Sequence, residues 1–182
     1  MFILTSHDLF SAAATLRHEI SNCNEGAKFS DDRRFRYLLW RQWAGTDKLV
    51  LFVALNPSTA DETVDDATIR RCRGYAKSWD ASGFLVANLF AFRATFPQDL
   101  LAADDPVGTL NDDWLKICSS LATQTIVCWG NHGGHLERSL AVLNLLPSSF
   151  ALKVNKSGEP CHPLYLPGDL RPTIFPSIDG NR

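Results

Sequence analysis

The sequence lacks the features that mark several specialised classes of protein. No apolar run approaches the ~20 residues that a membrane-spanning helix requires, and Met1–Phe10 has neither the basic segment nor the apolar stretch of a signal peptide. An excess of one charge is also missing, because 18 Lys and Arg face 20 Asp and Glu for a net charge of -2. Dedicated nucleic-acid-binding proteins are usually far more basic. These absences predict a cytoplasmic protein without a membrane partner.

Cysteine is scarce and is not clustered. The sequence contains five cysteines, an odd number, and none of them belongs to a CxxC pair. Disulfide frameworks use paired cysteines, and zinc or iron–sulfur sites use thiolates at short spacings. We therefore expect reduced thiols and neither a metal nor another cofactor. Cys128 stands inside an apolar run and is expected in the core.

Apolar segments are the strongest structural signal in the sequence. Of its 182 residues, 45% are hydrophobic, which fits one domain over residues 1–182 with a sizeable core. Near-continuous apolar runs are typical of parallel strands that are covered on both faces. Such runs predict strands at Leu49–Leu55, Phe84–Asn88, Thr125–Trp129 and Ala151–Asn155. Amphipathic spacing predicts helices at Asp8–Ser21, from Asp65 or Asp66 onward, at Leu110–Leu121, and from Gly134 to Leu146.

The alternation of strands and helices predicts an α/β fold, a three-layer α/β/α sandwich with a mostly parallel central sheet. Residues 1–28 would form a helical N-terminal extension that ends in a loop at Asn22–Asp32, and residues 172–182 would form a flexible tail. Partial alternation over Arg33–Trp43 predicts an outer strand. Its arginines either contact phosphates beside the tryptophans or form a solvated face with the aromatics packed underneath. These arginines are Arg33, Arg34, Arg36 and Arg41.

Polar residues follow the ends of all four predicted buried strands. The carboxyl ends of parallel strands share one edge of the sheet, which is where open α/β sheets bind ligands. An asparagine or histidine at any one end is usually a turn-former or a solvated side chain. Their joint placement at one edge favours a ligand site. In chain order these residues are Asn56, Ser58, Asn88, Asn131, His132 and His162.

Carboxylates in the segment after the first buried strand have two interpretations. Asp61, Asp65 and Asp66 could hold Mg²⁺ or supply a general base. Alternatively, Asp65 and Asp66 cap a helix and stabilise its free N–H groups and dipole by ~0.5–2 kcal/mol. The sequence leaves both interpretations open.

Arginines on and beyond the same helix could neutralise phosphates. Arg70 and Arg71 point ~100° apart on a helix, so at most one of them faces the sheet edge. The sequence does not decide which of the two does so. Arg93 follows the second buried strand and is a third candidate. Gly130–Gly134 could cradle an anion, although it has neither GxGxxG nor the P-loop lysine.

Two family resemblances depend on these motifs. The first is carried by Phe52–Asp66 (FVALNPSTADETVDD), Thr68–Cys72 (TIRRC), Asn88–Ala91 (NLFA) and Arg93–Thr95 (RAT). Together with His162–Tyr165 (HPLY), these segments resemble the signature of a bacterial and phage family that is catalogued as domain of unknown function 1643. The resemblance extends from about Phe29 to Pro167 and implies no established activity.

The second, more distant resemblance is to the uracil-DNA glycosylase superfamily and implies a uracil-DNA glycosylase-like fold. Ala54–Ser58 (ALNPS) is similar to the first motif of that superfamily, with Asn56 in place of the water-positioning residue. Asn88 stands where many members read the base edge. His162 begins a segment that resembles the motif whose histidine stabilises the departing base anion. The departures from these motifs are Ala54, Ser58 and Leu164, which replace two glycines and a serine.

The glycosylase resemblance implies a protein that acts on a nucleobase, a nucleotide or DNA and could hydrolyse an N-glycosidic bond. Asn56 would orient a water, Asp61 or Asp66 would accept its proton, and His162 would stabilise the departing base. Two alternatives stay open: a nucleotide- or nucleic-acid-binding module without catalysis, and Mg²⁺-dependent phosphate chemistry on the three aspartates. The substrate-binding residues predicted from the residue patterns and the resemblance together are Pro57, Ser58, Thr59, Asn88, Phe90, Phe92, Arg70, Arg71, Arg93 and Asn131.

Overall fold

The computed structural model describes residues 6–146 and 148–175, in which one seven-stranded sheet is flanked by helices. The strands are β1 (Glu25–Phe29), β2 (Arg36–Gln42), β3 (Leu49–Ala54), β4 (Gly83–Asn88), β5 (Gln124–Val127), β6 (Ser149–Ala151) and β7 (Thr173–Ile174). The α-helices are α1 (Ser6–Asn22), α2 (Ala67–Ser78), α3 (Pro97–Leu101), α4 (Asn111–Leu121) and α5 (Arg138–Leu145). Short 3-10 helices cover Asn131–Glu137 and Pro163–Tyr165.

The central strands of the sheet are parallel and the outer ones are antiparallel. The strand order is β1-β2-β4-β3-β5-β6-β7, and β4, β3, β5 and β6 run in the same direction. The prediction of a mostly parallel sheet is wrong for the flanks, because three of the six strand pairings are antiparallel. The connection at 30–35 is too short for the parallel crossover of about a dozen residues, so β1 and β2 pair antiparallel.

Helices cover both faces of the sheet and give it two buried sides. Leu51 and Val53 of β3 pack into the cluster formed with α1, α4 and α5, whereas Val50 and Phe52 pack into the cluster formed with α2. Alternate residues of a strand point to opposite faces, and both faces of β3 are apolar for this reason. The α/β prediction is therefore confirmed. Within the described ranges, the helices fall short of the length and apolar character needed to cross a membrane.

The segment before β3 departs from its prediction. Glu25–Phe29 forms the edge strand β1 inside the predicted loop, because its pairing with β2 outweighs the weak strand pattern of its sequence. As a result β2 lies second from the edge and is covered on both faces. Arg36 and Arg41 are only 2% and 1% exposed, so a solvated strand face is wrong for both of them. Arg33 and Arg34 precede the strand and are exposed.

Later elements shift relative to their predicted bounds. The fourth parallel strand is β6 at Ser149–Ala151 rather than Ala151–Asn155. The glycine-rich segment forms a 3-10 helix before α5, because Leu136 and Glu137 adopt positive φ values of 52° and 53° that interrupt an α-helix. Within the predicted tail, residues 173–174 pair with β6 as β7. Pro147 and residues 176–182 lie outside the described residues.

Candidate functional site

A cavity of about 910 Å³ opens at the carboxyl edge of the parallel strands β3, β4 and β5. This volume lies within the ~300–1,000 Å³ that is typical of small-molecule sites. The predicted polar strand-end residues, which are far apart in sequence, meet in its wall. All six of them line it, namely Asn56, Ser58, Asn88, Asn131, His132 and His162, and so does the predicted catalytic residue Asp66.

Asn56 presents a fixed hydrogen-bond acceptor to the cavity. Its Nδ2 atom donates to the carbonyl oxygens of Pro57 at 3.0 Å and Ala94 at 2.8 Å, which uses both amide hydrogens. The Oδ1 atom is left to accept. Asn56 can therefore hold a water by accepting one of its hydrogens, but an amide cannot take up the proton of that water.

Two residues that line the cavity each have a buried polar atom without a partner. Among the described residues, neither Asn88 Oδ1 nor Arg36 Nε has a hydrogen-bond partner, although the two residues are only 1% and 2% exposed. Arg36 retains a bond from Nη1 to the carbonyl oxygen of Ala60 at 2.8 Å. Burial lowers the pKa of Arg36 to about 10, so its guanidinium remains cationic at neutral pH. An unpartnered buried polar group costs about 1–3 kcal/mol.

His162 meets the cavity as a neutral hydrogen-bond donor. Its Nδ1 accepts from the backbone N–H of Leu164 at 3.4 Å, which places the proton of the neutral ring on Nε2. Burial lowers the pKa of His162, and the carboxylate of Asp66 opposes this shift. His162 is therefore predominantly neutral at pH 7, and among the described residues its Nε2–H has no hydrogen-bond acceptor.

Asp66 stands at the start of α2 and also lines the cavity. Its Oδ1 accepts from the backbone N–H of Ile69 at 2.8 Å and caps α2, so the capping interpretation is confirmed for this residue. The same carboxylate acts to raise the pKa of both Arg36 and His162. Asp66 therefore combines the N-cap of α2 with a position in the wall of the cavity.

One face of α2 holds the segment that carries His162. Arg71, Tyr75 and Trp79 follow one another at helical spacing and donate to backbone carbonyl oxygens between residues 163 and 170. Arg70 points elsewhere and is exposed. The structure thus separates the two arginines as the helical geometry predicts. Neither lines the cavity, and Arg71 positions the loop of His162.

A second cleft of about 460 Å³ adjoins the cavity and is lined by arginines. The two spaces share Ser58, Ala94 and Thr95 in their walls. The guanidinium of Arg34 lies 5.8 Å from the ring centroid of Phe92. Several arginines in one cleft favour an anionic group such as a phosphate. The other residues that line the second cleft are Arg33, Thr59 and Arg93.

The part of the chain that builds this site matches a known protein family. The model of a family described as "Protein of unknown function (DUF1643)" matches residues 36–164. The chain belongs to the DUF1643 family. The match extends from Arg36 to Leu164 and so includes β2, the loop after β3 and the segment of His162. No curated protein and no solved structure matches this DUF1643 chain.

Besides Arg70 and Arg71, three predicted site residues of the DUF1643 chain line neither the cavity nor the second cleft. Phe90 is 0% exposed and packs against the ring of His135 at a centroid distance of 5.6 Å, within the cluster on the α4 side of the sheet. Pro57 is buried. The Oδ1 atom of Asp61 accepts from the backbone N–H groups of residues 63 and 64 at 3.0 and 2.8 Å. Phe90 is thus placed in the core and Asp61 in a turn.

The aspartates after β3 organise this loop instead of gathering around one point. Asp65 accepts from Arg41 Nε at 2.9 Å and from Arg73 Nη2 at 2.7 Å, while Asp66 caps α2 and Asp61 closes its turn. Across residues 6–146 and 148–175, no three side chains of His, Cys, Asp or Glu are arranged to hold a metal ion.

Several cavity residues of the DUF1643 chain are missing from the list of predicted substrate-binding and catalytic residues, and three of them are polar side chains from separate elements. Arg36, Lys153 and Tyr165 line the cavity, and Tyr165 is 83% exposed. Lys153 follows the end of β6, so its position after a parallel strand is a signal that the sequence contains. The orientation of Arg36 depends on a register shift in the pairing of β2 with β1, which no sequence pattern predicts.

Proposed function

We propose that this DUF1643 protein binds the nucleobase of a nucleotide or of DNA in the cavity and hydrolyses the N-glycosidic bond to that base. The observation that supports the proposal is the convergence of Asn56, Asn88 and His162 on one cavity. These are the three positions that resemble glycosylase motifs. A site with an acceptor for water, a group for the base edge and a donor for the departing base has the parts that this hydrolysis needs.

In the proposed reaction, a water attacks the anomeric carbon of the sugar. The bond from this carbon to the base nitrogen breaks, and its electron pair leaves with the base. Asn56 Oδ1 orients the water, and Asp66 accepts the proton that the water loses. His162 donates from Nε2–H to an oxygen of the departing base and stabilises its negative charge. The base takes up a proton, and the sugar retains the new hydroxyl group.

Release of free base from a single-stranded oligonucleotide that contains uracil or hypoxanthine tests the proposal. We expect release by the wild-type protein and a loss of about 100-fold for Asn56→Ala, because the water loses its acceptor. Asn144→Ala is the matched control, since Asn144 is exposed on α5, and it should release base at the wild-type rate. Tight binding of the oligonucleotide without release would contradict hydrolysis and leave a binding module.

The arginine cleft predicts how a phosphate next to the bound nucleotide is held. Arg34→Glu should weaken binding of an oligonucleotide and reduce the slope of log affinity against log salt by about one, while binding of a free nucleoside stays unchanged. Fluorescence anisotropy of a labelled oligonucleotide over a salt series measures both quantities. Arg171→Glu is the control, because Arg171 is exposed and lines neither space. An equal effect of the two variants would contradict a specific role for the cleft.

A further inference from the structure

The second cleft joins the main cavity along a wall that two loops build. Ser58, Ala94 and Thr95 line both spaces. The backbone N–H of Ala94 donates to the carbonyl oxygen of Pro57 at 3.0 Å, and Asn56 Nδ2 donates to the carbonyl oxygen of Ala94 at 2.8 Å. These bonds hold the loop after β3 against the loop after β4. A ligand that extends from the cavity into the cleft therefore passes along the wall to which Asn56 is bonded.

Aromatic rings hold the arginines of the cleft in position. The guanidiniums of Arg33 and Arg93 lie 3.9 and 5.1 Å from the centroid of the Phe29 ring, and that of Arg34 lies 5.8 Å from the centroid of the Phe92 ring. Arg93 also donates from Nη1 to the carbonyl oxygen of Arg33 at 3.3 Å. Side chains that are positioned before a ligand arrives lose less conformational entropy when they bind it.

Two of the three guanidiniums in the cleft are not neutralised by an ion pair. Arg33 pairs with Glu62 at 2.7 Å, whereas within residues 6–146 and 148–175 neither Arg34 nor Arg93 forms an ion pair. Hydrogen bonds to its carboxylate lower the pKa of Asp32, and the charge of Arg34 contributes less to this shift. Asp32 thus offsets the charge of Arg34 only in part. The cleft retains an excess of positive charge.

Hydroxyl groups add to the donors of the cleft. Ser58, Thr59 and Thr95 line it and are at least partly exposed, and each hydroxyl can donate a hydrogen bond. The phosphate of a monoester has three acceptor oxygens and close to two negative charges at pH 7. A phosphate inside a nucleic-acid strand carries a single charge. The charge and the donors of the cleft therefore match a monoester better than an internal phosphate.

We propose that the cleft binds a terminal phosphate of a nucleotide, either of a free mononucleotide or of the phosphorylated end of a strand. The inference rests on the proposed binding of a nucleobase in the cavity. With the base in the cavity and the phosphate in the cleft, the sugar lies along the wall that the two spaces share. The anomeric carbon belongs to this sugar, so the placement brings the reacting atom beside Asn56.

Binding of uridine monophosphate (UMP), with the phosphate at the 5′ or the 3′ oxygen, tests the terminal phosphate. Calorimetry with the wild-type protein at pH 7.5 should show that the better of the two isomers binds at least about tenfold tighter than uridine. It should also bind at least about tenfold tighter than its own methyl ester, in which the phosphate is a diester. Equal affinities for the monophosphate and its methyl ester would overturn the proposal.

The pH dependence of binding provides a second test on the same ligands. A phosphate monoester loses its second proton near pH 6, so the affinity for UMP should rise by about tenfold between pH 5 and pH 7.5. The methyl ester has no such proton. Titration of the protein's own carboxylates beside the cleft, Asp32 and Glu62, affects both ligands and cancels in the ratio of their affinities. A ratio that does not change with pH would contradict a monoester site.

Two oligonucleotides distinguish the sources of the phosphate. They carry uracil in the terminal nucleotide and differ only in the terminal phosphate. A gain of about tenfold from this phosphate would assign the cleft to the end of a strand. A gain for UMP over uridine without a gain between the oligonucleotides would assign it to a free nucleotide. No gain in either comparison would overturn the proposal.

Substitutions of exposed side chains change the charge of the cleft in opposite directions. Arg34→Gln removes one of the unpaired charges, so the preference for UMP over uridine should fall to about twofold or less. Glu62→Gln releases Arg33 from its ion pair and should increase the preference by about threefold. Arg171→Gln is the matched control, because Arg171 is exposed and lines neither space, and it should leave the preference unchanged. A preference that survives in Arg34→Gln would exclude the cleft as the phosphate site.

The two proposals fail in different ways. Broadening of the phosphorus-31 NMR signal of ribose 5-phosphate, without broadening for its methyl ester, would retain the phosphate site even when uridine does not bind. Preference for UMP without release of uracil would remove the hydrolysis and retain the phosphate site. Release of uracil from uridine and from UMP with the same KM would retain the hydrolysis and remove the phosphate site.

Discussion

Replacement of His162 by phenylalanine is expected to lower the rate of base release by about 100- to 1,000-fold, the usual cost of removing a preorganised donor to developing negative charge. Phenylalanine retains a ring of similar size but lacks Nε2–H, the atom that the bond from Leu164 to Nδ1 leaves free to donate. Single-turnover release from a uracil-containing oligonucleotide measures this loss. His162→Gln should recover part of the rate, because its amide can donate from a similar position.

The pH dependence of His162 separates this role from a purely structural one. Burial lowers its pKa, so an NMR titration of its ring should have a midpoint below the ordinary value of about 6.5. As the pH falls from about 6.5 to this midpoint, the unfolded chain binds the proton first, and the free energy of unfolding decreases. His162→Phe should lack this decrease. A midpoint above 6.5 would contradict a neutral donor, and so would full activity of His162→Phe.

The residues at the strand ends could be predicted from the sequence, because a strand that is buried on both faces consists of a continuous run of apolar residues. Continuous apolar runs identified β3, β4 and β5, and a parallel arrangement fixes which of their ends share an edge. Asn56 and Asn88 therefore lie where the pattern places them. His162 is more distant from any strand, and the resemblance of its segment to a known motif supported its predicted place at the same edge.

The directions in which some side chains point could not be predicted from the sequence, because they depend on the details of strand pairing and of the chain path. The sequence predicts Phe90, which follows β4, as a substrate-binding residue, but the path of the chain turns its ring into the core beside His135. Arg36 lies in a strand whose alternation points it elsewhere, and only the bulge at Tyr37 brings it to the cavity. Such irregularities arise from the fit between two strands, so one strand's sequence does not reveal them.

The loop after β3 has the most distinctive sequence of the chain, and its aspartates are explained by buried arginines. Arg41 is 1% exposed, and its guanidinium bonds to Asp65 Oδ1 and to the carbonyl oxygens of Trp40 and Asp61. Arg36 bonds to the carbonyl oxygen of Ala60 in the same loop. The loop therefore adopts the shape that two arginines of β2 require, and this shape brings the next residue, Asp66, to the cavity.

Substitution of Asp65 by alanine should produce the largest loss of stability, about 3–5 kcal/mol, because it leaves the buried charge of Arg41 with only the longer, 3.8 Å ion pair to the half-exposed Glu25. The side chain of Asp65 is itself only 16% exposed, and its second oxygen pairs with Arg73 at 2.7 Å. Urea denaturation followed by circular dichroism measures the free energy of unfolding. Because Asp65 precedes Asp66, the same variant should also weaken nucleoside binding in the cavity.

The ion pair between Arg33 and Glu62 provides the matched control for this loss. Glu62 lies in the same loop and pairs with Arg33 at 2.7 Å, but the two side chains are 42% and 50% exposed. Solvent-exposed pairs contribute little to stability, so Glu62→Ala should leave the denaturation midpoint nearly unchanged. The double variant Arg41→Met, Asp65→Ala should be more stable than Asp65→Ala alone, since removal of both partners leaves no buried charge. Equal losses for Asp65→Ala and Glu62→Ala would show that burial of Arg41 does not make its ion pair essential.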